Sequence, residues 1–206
     1  QSETVWRQAD KYRVPRIAFV NKMDRPGADF DNCIDMMRAR LRGNPVALQF
    51  PLGKEDKFLG VIDLIQLKAV VYSESMHGTE YELQEIPEEL REEASARREK
   101  LIEAASEADE GLFEKFVGGE EISADALKAG VRRATIEMKM TPVLCGSAFK
   151  NKGVQSLLDA VVDYLPSPLD VPAVSGFAED GITEITRKAD DSEPFSALVF
   201  KIMHDP

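Results

Sequence analysis

The residues Arg16-Ile-Ala-Phe-Val-Asn-Lys-Met-Asp24, running on into Arg25-Pro-Gly27, decide how the rest of the chain is read. Residues 17–20 form an uninterrupted apolar run of strand formers, closed by the turn signal Pro26-Gly27. A run without alternation suits a strand buried on both faces, as in a parallel sheet with helices on either side. Asn21, Lys22 and Asp24 then fall at the carboxyl end of that strand, where open α/β sheets bind their ligands. Taken alone, this is equally the pattern of a polar turn after a strand. The decision rests on a second strand end, much further along.

Upstream, residues 2–12 read as an amphipathic helix with Ser2 as cap and Val5, Trp6 and Ala9 on one face, ended by Pro15. Downstream, Phe30, Ile34, Met37 and Leu41 have helical spacing behind a cap at Asp29, and Arg42-Gly-Asn-Pro45 breaks that helix. The character then changes. Residues 46–50, 58–65 and 67–72, with a weaker segment at 81–83, are short apolar runs without intervening helices, which predicts an antiparallel meander. Pro87 opens a long helical stretch at a first helical position, with Leu90, Ala94, Leu101, Ala105 and Ala108 on its inner face. Helices over 110–117 and 123–138 follow, the first stopped by Gly118-Gly119.

The strand-then-polar-loop theme returns at 141–149, Thr-Pro-Val-Leu-Cys-Gly-Ser-Ala-Phe. After it, Val154, Leu157, Leu158, Val161, Val162 and Leu165 keep the helical period and predict one apolar stripe. Pro166 and Pro168 end that helix and open a linker; the remainder reads as loop until a strand over 195–203.

Composition bounds the function classes. The 206 residues are 43% hydrophobic and 31% charged, ordinary for a globular chain, and no apolar run is long enough to span a membrane. A net charge of −11 argues against nucleic-acid or membrane binding by overall charge, although a local basic face can still dock on a ribosome. Cys33 and Cys145 lack a second ligand nearby and read as reduced, partly buried thiols. His77 and His204 are isolated, which argues against a zinc site or a histidine-based triad. The chain opens on Gln1 without a signal peptide and closes just after a strand-like run, as a piece of something longer would.

The spacing N-K-x-D is the guanine-recognition element of GTP-binding proteins, and its chemistry explains the residue types. Guanine presents two neighbouring donors, N1–H and the exocyclic amine, that one carboxylate such as Asp24 can accept. Adenine would leave that carboxylate facing an acceptor, a costly arrangement when buried. Asn21 can bond the acceptor edge of the base and tie loops together, and the stem of Lys22 can lie over the base plane. The loop Gly146-Ser-Ala148 supplies the complement: small residues let the Ala148 N–H approach the base oxygen, and Ser147 can hold the Asp24 carboxylate in plane. Two such elements in this order, each at the end of an apolar strand, point to a guanine site.

With these motifs in view, the chain resembles an internal fragment of bacterial translation elongation factor G, the ribosomal translocase GTPase family. The resemblance is carried by residues 14–24, by the loop Cys145-Gly-Ser-Ala-Phe-Lys-Asn-Lys-Gly153 and by Leu165-Pro-Ser-Pro-Leu-Asp-Val-Pro172. It implies an α/β fold: the C-terminal part of a P-loop-type GTPase domain, a parallel sheet with flanking helices, interrupted by an α+β insert. The first strands of a β-barrel domain follow. Residues 1–41 and 139–165 would be the GTPase domain, 42–138 a G′-like insert, and 166–206 the linker and barrel start. It further implies guanine contacts from Asn21, Lys22, Asp24, Ser147, Ala148 and Phe149, and GTP or GDP as the nucleotide. Mg²⁺ is expected only in the full-length parent. The implied partners are the ribosome and its large-subunit stalk protein, in the cytoplasm, with Lys128, Arg132 and Arg133 as positive charge on an insert helix. Against the family pattern, the sequence has no G-x-x-x-x-G-K-[ST] loop, no switch threonine and no water-positioning histidine segment. The expectation is therefore a guanine half-site without hydrolysis of its own, or else a protein-interaction module with no nucleotide chemistry. A missing neighbour of the 17–20 strand would leave an apolar edge through which copies could associate.

Overall fold

The computed structural model describes residues 2–73 and 78–204, which form two compact units, 2–165 and 166–204. His77 and the side chain of Ser2 lie outside the described residues. In the first unit, α1 (Ser2–Lys11) leads into β1 (Ala18–Val20) and α2 (Phe30–Leu41). Asp29 starts α2 by accepting the Asn32 N–H at 2.9 Å, and Arg42 ends it in left-handed backbone at φ 53°. β1, β7 (Thr141–Cys145) and β2 (Pro45–Ala47) make a parallel sheet in the order β1-β7-β2.

Burial on both faces, expected for residues 17–20, is found instead in β7, whose every residue is buried. β1 is half-buried because it sits at the sheet edge with β7 as its pairing partner. The single strand expected over 46–50 is also corrected. It divides at Leu48, whose N–H donates to Val143 in the parallel sheet while its carbonyl accepts from Leu64 in the next one. One buried leucine thus changes sheets. Beyond it, β3 (Gln49–Leu52), β4 (Gly60–Asp63), β5 (Lys68–Tyr72) and β6 (Tyr81–Gln84) form the expected antiparallel meander.

Three helices pack beside it: α3 (Glu88–Ser106), α4 (Glu110–Val117) and α5 (Ala124–Ile136). Pro87 is the residue preceding α3, not its first helical position. Asp109 and Ser123 cap α4 and α5. Their core holds Ala94, Leu101, Ala105, Leu112, Leu127, Val131 and Ala134. Each fully buried Leu or Val there contributes about 1.5–3 kcal/mol. Arg97 of α3 fastens this layer to the parallel sheet's helix: two N–H groups reach the Asp31 carboxylate of α2 at 2.8 Å each, and the guanidinium lies 5.0 Å from the Phe50 ring.

The cations expected on an open face of α5 are engaged internally. Lys128 pairs with Asp163 at 3.1 Å, Arg132 donates to the carbonyls of Asp163 and Leu165, and Arg133 pairs with Asp109 at 3.1 Å. They join α5 to α4 and to α6 (Val154–Tyr164). In α6 the stripe is also corrected. Ala160 and Tyr164 are buried and Leu157 half-buried, whereas Leu158, Val161 and Val162 are exposed. The helix is apolar around more of its circumference than this unit covers.

In the second unit, residues read as loop form a hairpin of β8 (Val174–Phe177) and β9 (Glu184–Arg187). Asp180 makes its turn by accepting the N–H groups of Ile182 and Thr183 at 2.9 Å each. The strand expected over 195–203 does not form; Phe195, Leu198, Phe200 and Ile202 stand exposed without a paired strand. Apolar β-formers need a ladder partner before they become a strand.

Candidate functional site

Two loops leave the carboxyl ends of the adjacent strands β1 and β7 and are zipped together there. Gly146 N–H donates to the Val20 carbonyl and Met23 N–H to the Gly146 carbonyl, both at 3.0 Å. The Met23 side chain is buried, Lys22 before it is exposed, and Asp24 after it is largely covered. Lys22 takes left-handed backbone at φ 64°, with its N–H held by the Asn21 side-chain oxygen at 2.8 Å. The same oxygen accepts the Ala148 N–H at 3.0 Å. Asn21 therefore ties the first loop to the second. The Ala148 N–H is engaged by Asn21, not held open toward a base oxygen.

Asp24 is the electrostatic centre. Its side chain keeps 10% of its exposure, and Lys150 Nζ lies 3.6 Å from its carboxylate. A hydrogen bond from the buried Ser147 side chain holds the Asp24 pKa below the ordinary value. Burial opposes that shift, while Asp24's own N–H and the charges of Lys150 and Arg25 assist it. The carboxylate is thus ionised and fixed in direction without help from a ligand.

Ser147 is itself positioned by a tight reversal: its N–H donates to the Lys152 carbonyl at 2.9 Å, and the Lys152 N–H returns to the Ser147 carbonyl at 3.1 Å. Glycine is required at both flanks. A Cβ on Gly146 would stand 2.3 Å from the Lys152 oxygen, and one on Gly153, already at φ 89°, 2.6 Å from the Cys145 oxygen.

Of the residues singled out in the sequence, Asn21, Asp24, Ser147 and Ala148 come together in direct contact. Lys22 and Phe149 lie exposed beside them, the Phe149 ring at 92%. Sequence reading gave no role to Lys150, Lys152 or Glu55. Lys152 is buried and donates from Nζ to the Phe58 carbonyl at 2.9 Å, and Glu55 accepts the Gly27 N–H at 2.7 Å. No spacing rule could find Glu55, which is 28 residues from its partner. Among the described residues no cluster of His, Cys, Asp or Glu is arranged to hold a metal ion.

The family model of the elongation factor Tu GTP-binding domain matches residues 1–167, most of the chain. The chain belongs to that family. These are translation-factor-type GTPase domains that bind guanine nucleotides, and the parallel sheet with flanking helices is their GTPase domain fold. Among solved structures, a crystal structure of a protein from Thermus thermophilus is similar, with 32% identity and a TM-score of 0.71. The match covers 83% of this chain and 26% of that one, so this sequence spans about a quarter of the protein it resembles. Among the described residues no helix is long and apolar enough to cross a membrane.

Proposed function

We propose that this chain carries the guanine-recognition half of the nucleotide site of a cytoplasmic translation elongation GTPase of the elongation factor G type, the class that drives tRNA and mRNA through the ribosome. The observation that supports the reading is the Asp24 carboxylate, ionised and aimed by Ser147 within loops joined by Asn21. Such a carboxylate accepts the two neighbouring donors of guanine without reorganising, which is the condition for discrimination against adenine. The stem of Lys22 and the Phe149 ring, both exposed, offer apolar cover for the two faces of the base. The residues present fit a base. The phosphates and Mg²⁺ fall to groups that this sequence does not contain, since it has no G-x-x-x-x-G-K-[ST] segment.

Base contacts alone give weak binding, with Kd on the order of millimolar, or about 4 kcal/mol. Calorimetric or NMR titration with GDP, guanosine and ADP tests this. Guanosine and GDP bind, ADP does not, and Asp24→Ala abolishes the response. Equal binding of ADP, or guanosine binding that survives Asp24→Ala, refutes the reading.

A second role belongs to the layer formed by β3–β6 and α3–α5, which we assign as the insert and as a contact for the ribosomal stalk protein. Phe113 and Val117, one helical turn apart on α4, are exposed apolar groups that suit a helix-to-helix contact. With Lys128, Arg132 and Arg133 engaged internally, that contact is apolar more than electrostatic. Retention of the chain by the immobilised C-terminal domain of the stalk protein, lost in Phe113→Ser, tests it; equal retention of both chains refutes it. The outer edge of β1 is assigned to self-association of this piece. A purely monomeric elution profile with uniformly slow amide exchange over 15–21 refutes that.

A further inference from the structure

The two loops that meet at Asp24 share a third neighbour, the connection between β3 and β4. Its 3₁₀ turn (Glu55–Lys57) reaches the first loop through Glu55, which accepts the Gly27 N–H at 2.7 Å. The residue just after it, Phe58, is buried and offers its carbonyl to Lys152 Nζ at 2.9 Å, which reaches the second loop. Gly27 lies in the turn from Arg25 to Ala28, which follows directly on the turn from Lys22 to Arg25 that carries Asp24, and Lys152 is paired through its backbone with Ser147, the donor to that carboxylate. A seven-residue connection in another sheet therefore holds both halves of the base site by one hydrogen bond each.

Two details say that these bonds are not incidental. Glu55 sits in left-handed backbone at φ 54°, a conformation disfavoured for a residue with a Cβ. Glycine would occupy it freely, so what the glutamate adds is a side chain that can reach Gly27. Lys152 places an ammonium in a site where the residue is only 3% exposed, and a buried cation is retained only where carbonyls receive it. The Phe58 carbonyl is one such acceptor.

The geometry points to Glu55 and Lys152 as positioning residues of the guanine site. The β3–β4 connection acts as a clamp that sets the distance between Ser147 and Asp24, and so makes base discrimination depend on the antiparallel sheet. This rests on the guanine reading given above.

The test uses the full chain, with Glu55→Ala, Glu55→Gln, Lys152→Met, and Lys68→Met as a control on the distant Lys68–Glu85 pair. Two quantities are read: the NMR titration of the Asp24 carboxyl, and the preference for guanosine over inosine, which lacks the exocyclic amine. Circular dichroism and Trp6 fluorescence check that each variant is folded. Glu55→Ala and Lys152→Met are expected to move the Asp24 pKa up toward 3.8. They should also cut the guanosine preference by roughly tenfold, the scale of one lost charge-assisted hydrogen bond. Glu55→Gln, which keeps an acceptor for Gly27, and Lys68→Met leave both unchanged. An unshifted Asp24 titration in folded Glu55→Ala and Lys152→Met overturns the clamp, even where guanosine still binds through Asp24. If the native chain binds no guanine ligand, the guanine reading fails separately, and the Asp24 titration alone decides the clamp.

Discussion

Replacing Gly146 by alanine adds a single methyl group at the tightest point of the site. That carbon would stand 2.3 Å from the Lys152 carbonyl oxygen, 2.8 Å from Phe19 Cζ and 3.2 Å from Gly153 Cα. The Phe19 ring end can swing away, but the oxygen and Cα belong to backbone. To reach ordinary contact near 3.4 Å, the Lys152 carbonyl must retreat by about 1 Å. It is also the acceptor of the Ser147 N–H, so that bond lengthens from 2.9 Å beyond hydrogen-bonding range. Overpacking costs about 1–3 kcal/mol and the lost bond about 1 kcal/mol more, giving ~2–4 kcal/mol for the variant. With an m-value near 2 kcal/mol/M, the urea midpoint falls by about 1–2 M. Trp6, the chain's one tryptophan, lies with its ring 4.1 Å from the Arg16 guanidinium and reports the unfolding of the first unit by fluorescence. Because the shift starts at Ser147, guanosine binding weakens by more than the stability of distant amides. A midpoint within about 0.3 M of the native chain would mean that the loop yields without cost, and the claim that backbone crowding fixes Ser147 would be wrong.

Removing the Arg97 fork by Arg97→Met costs about 1–2 kcal/mol, from a partly exposed bidentate pair and a cation–π contact. A double-mutant cycle with Asp31→Asn in urea should show coupling that shrinks at high salt; additive effects would contradict it. Asp24 and Asp31 both have folded pKa values below 3.8, held down chiefly by Ser147 and by Arg97 respectively. Their stabilisation is therefore complete above about pH 4 and disappears as the pH falls below that value, so acid unfolding of Asp31→Asn should begin from a lower plateau and be shallower. Leu101→Ala, at a fully buried position of α3, should cost about 2–5 kcal/mol in the same denaturation assay. Burial pushes both thiols upward, Cys145 far more than Cys33. Iodoacetamide at neutral pH should modify Cys33 slowly and Cys145 only in urea, as read by mass spectrometry.

What could be read from sequence follows how far each signal reaches along the chain. The span of α2, Phe30–Leu41, was set by residues within one turn of its ends, Asp29 and Arg42, and the end of α4 likewise by Gly118. The meeting of the two loops was also legible, across 127 residues, because two strand ends matched one chemistry, although the Ala148 N–H went to Asn21 and not toward a base. The helices of the first unit, the antiparallel meander, and the two polar loops with their order were thus legible, being local properties of side-chain period and turn chemistry, whereas the hairpin at 174–187 and the missing strand at 195–203 were not. Tertiary structure alone decided the rest. It split 46–50 between two sheets at Leu48, left Leu158 and Val162 exposed on α6, and gave Lys128, Arg132 and Arg133 partners on neighbouring elements. It also brought Glu55 and Lys152 to the loops around Asp24. Each of these depends on which surface lies opposite, and hydrophobic period or charge cannot encode the identity of a partner that is distant in the chain.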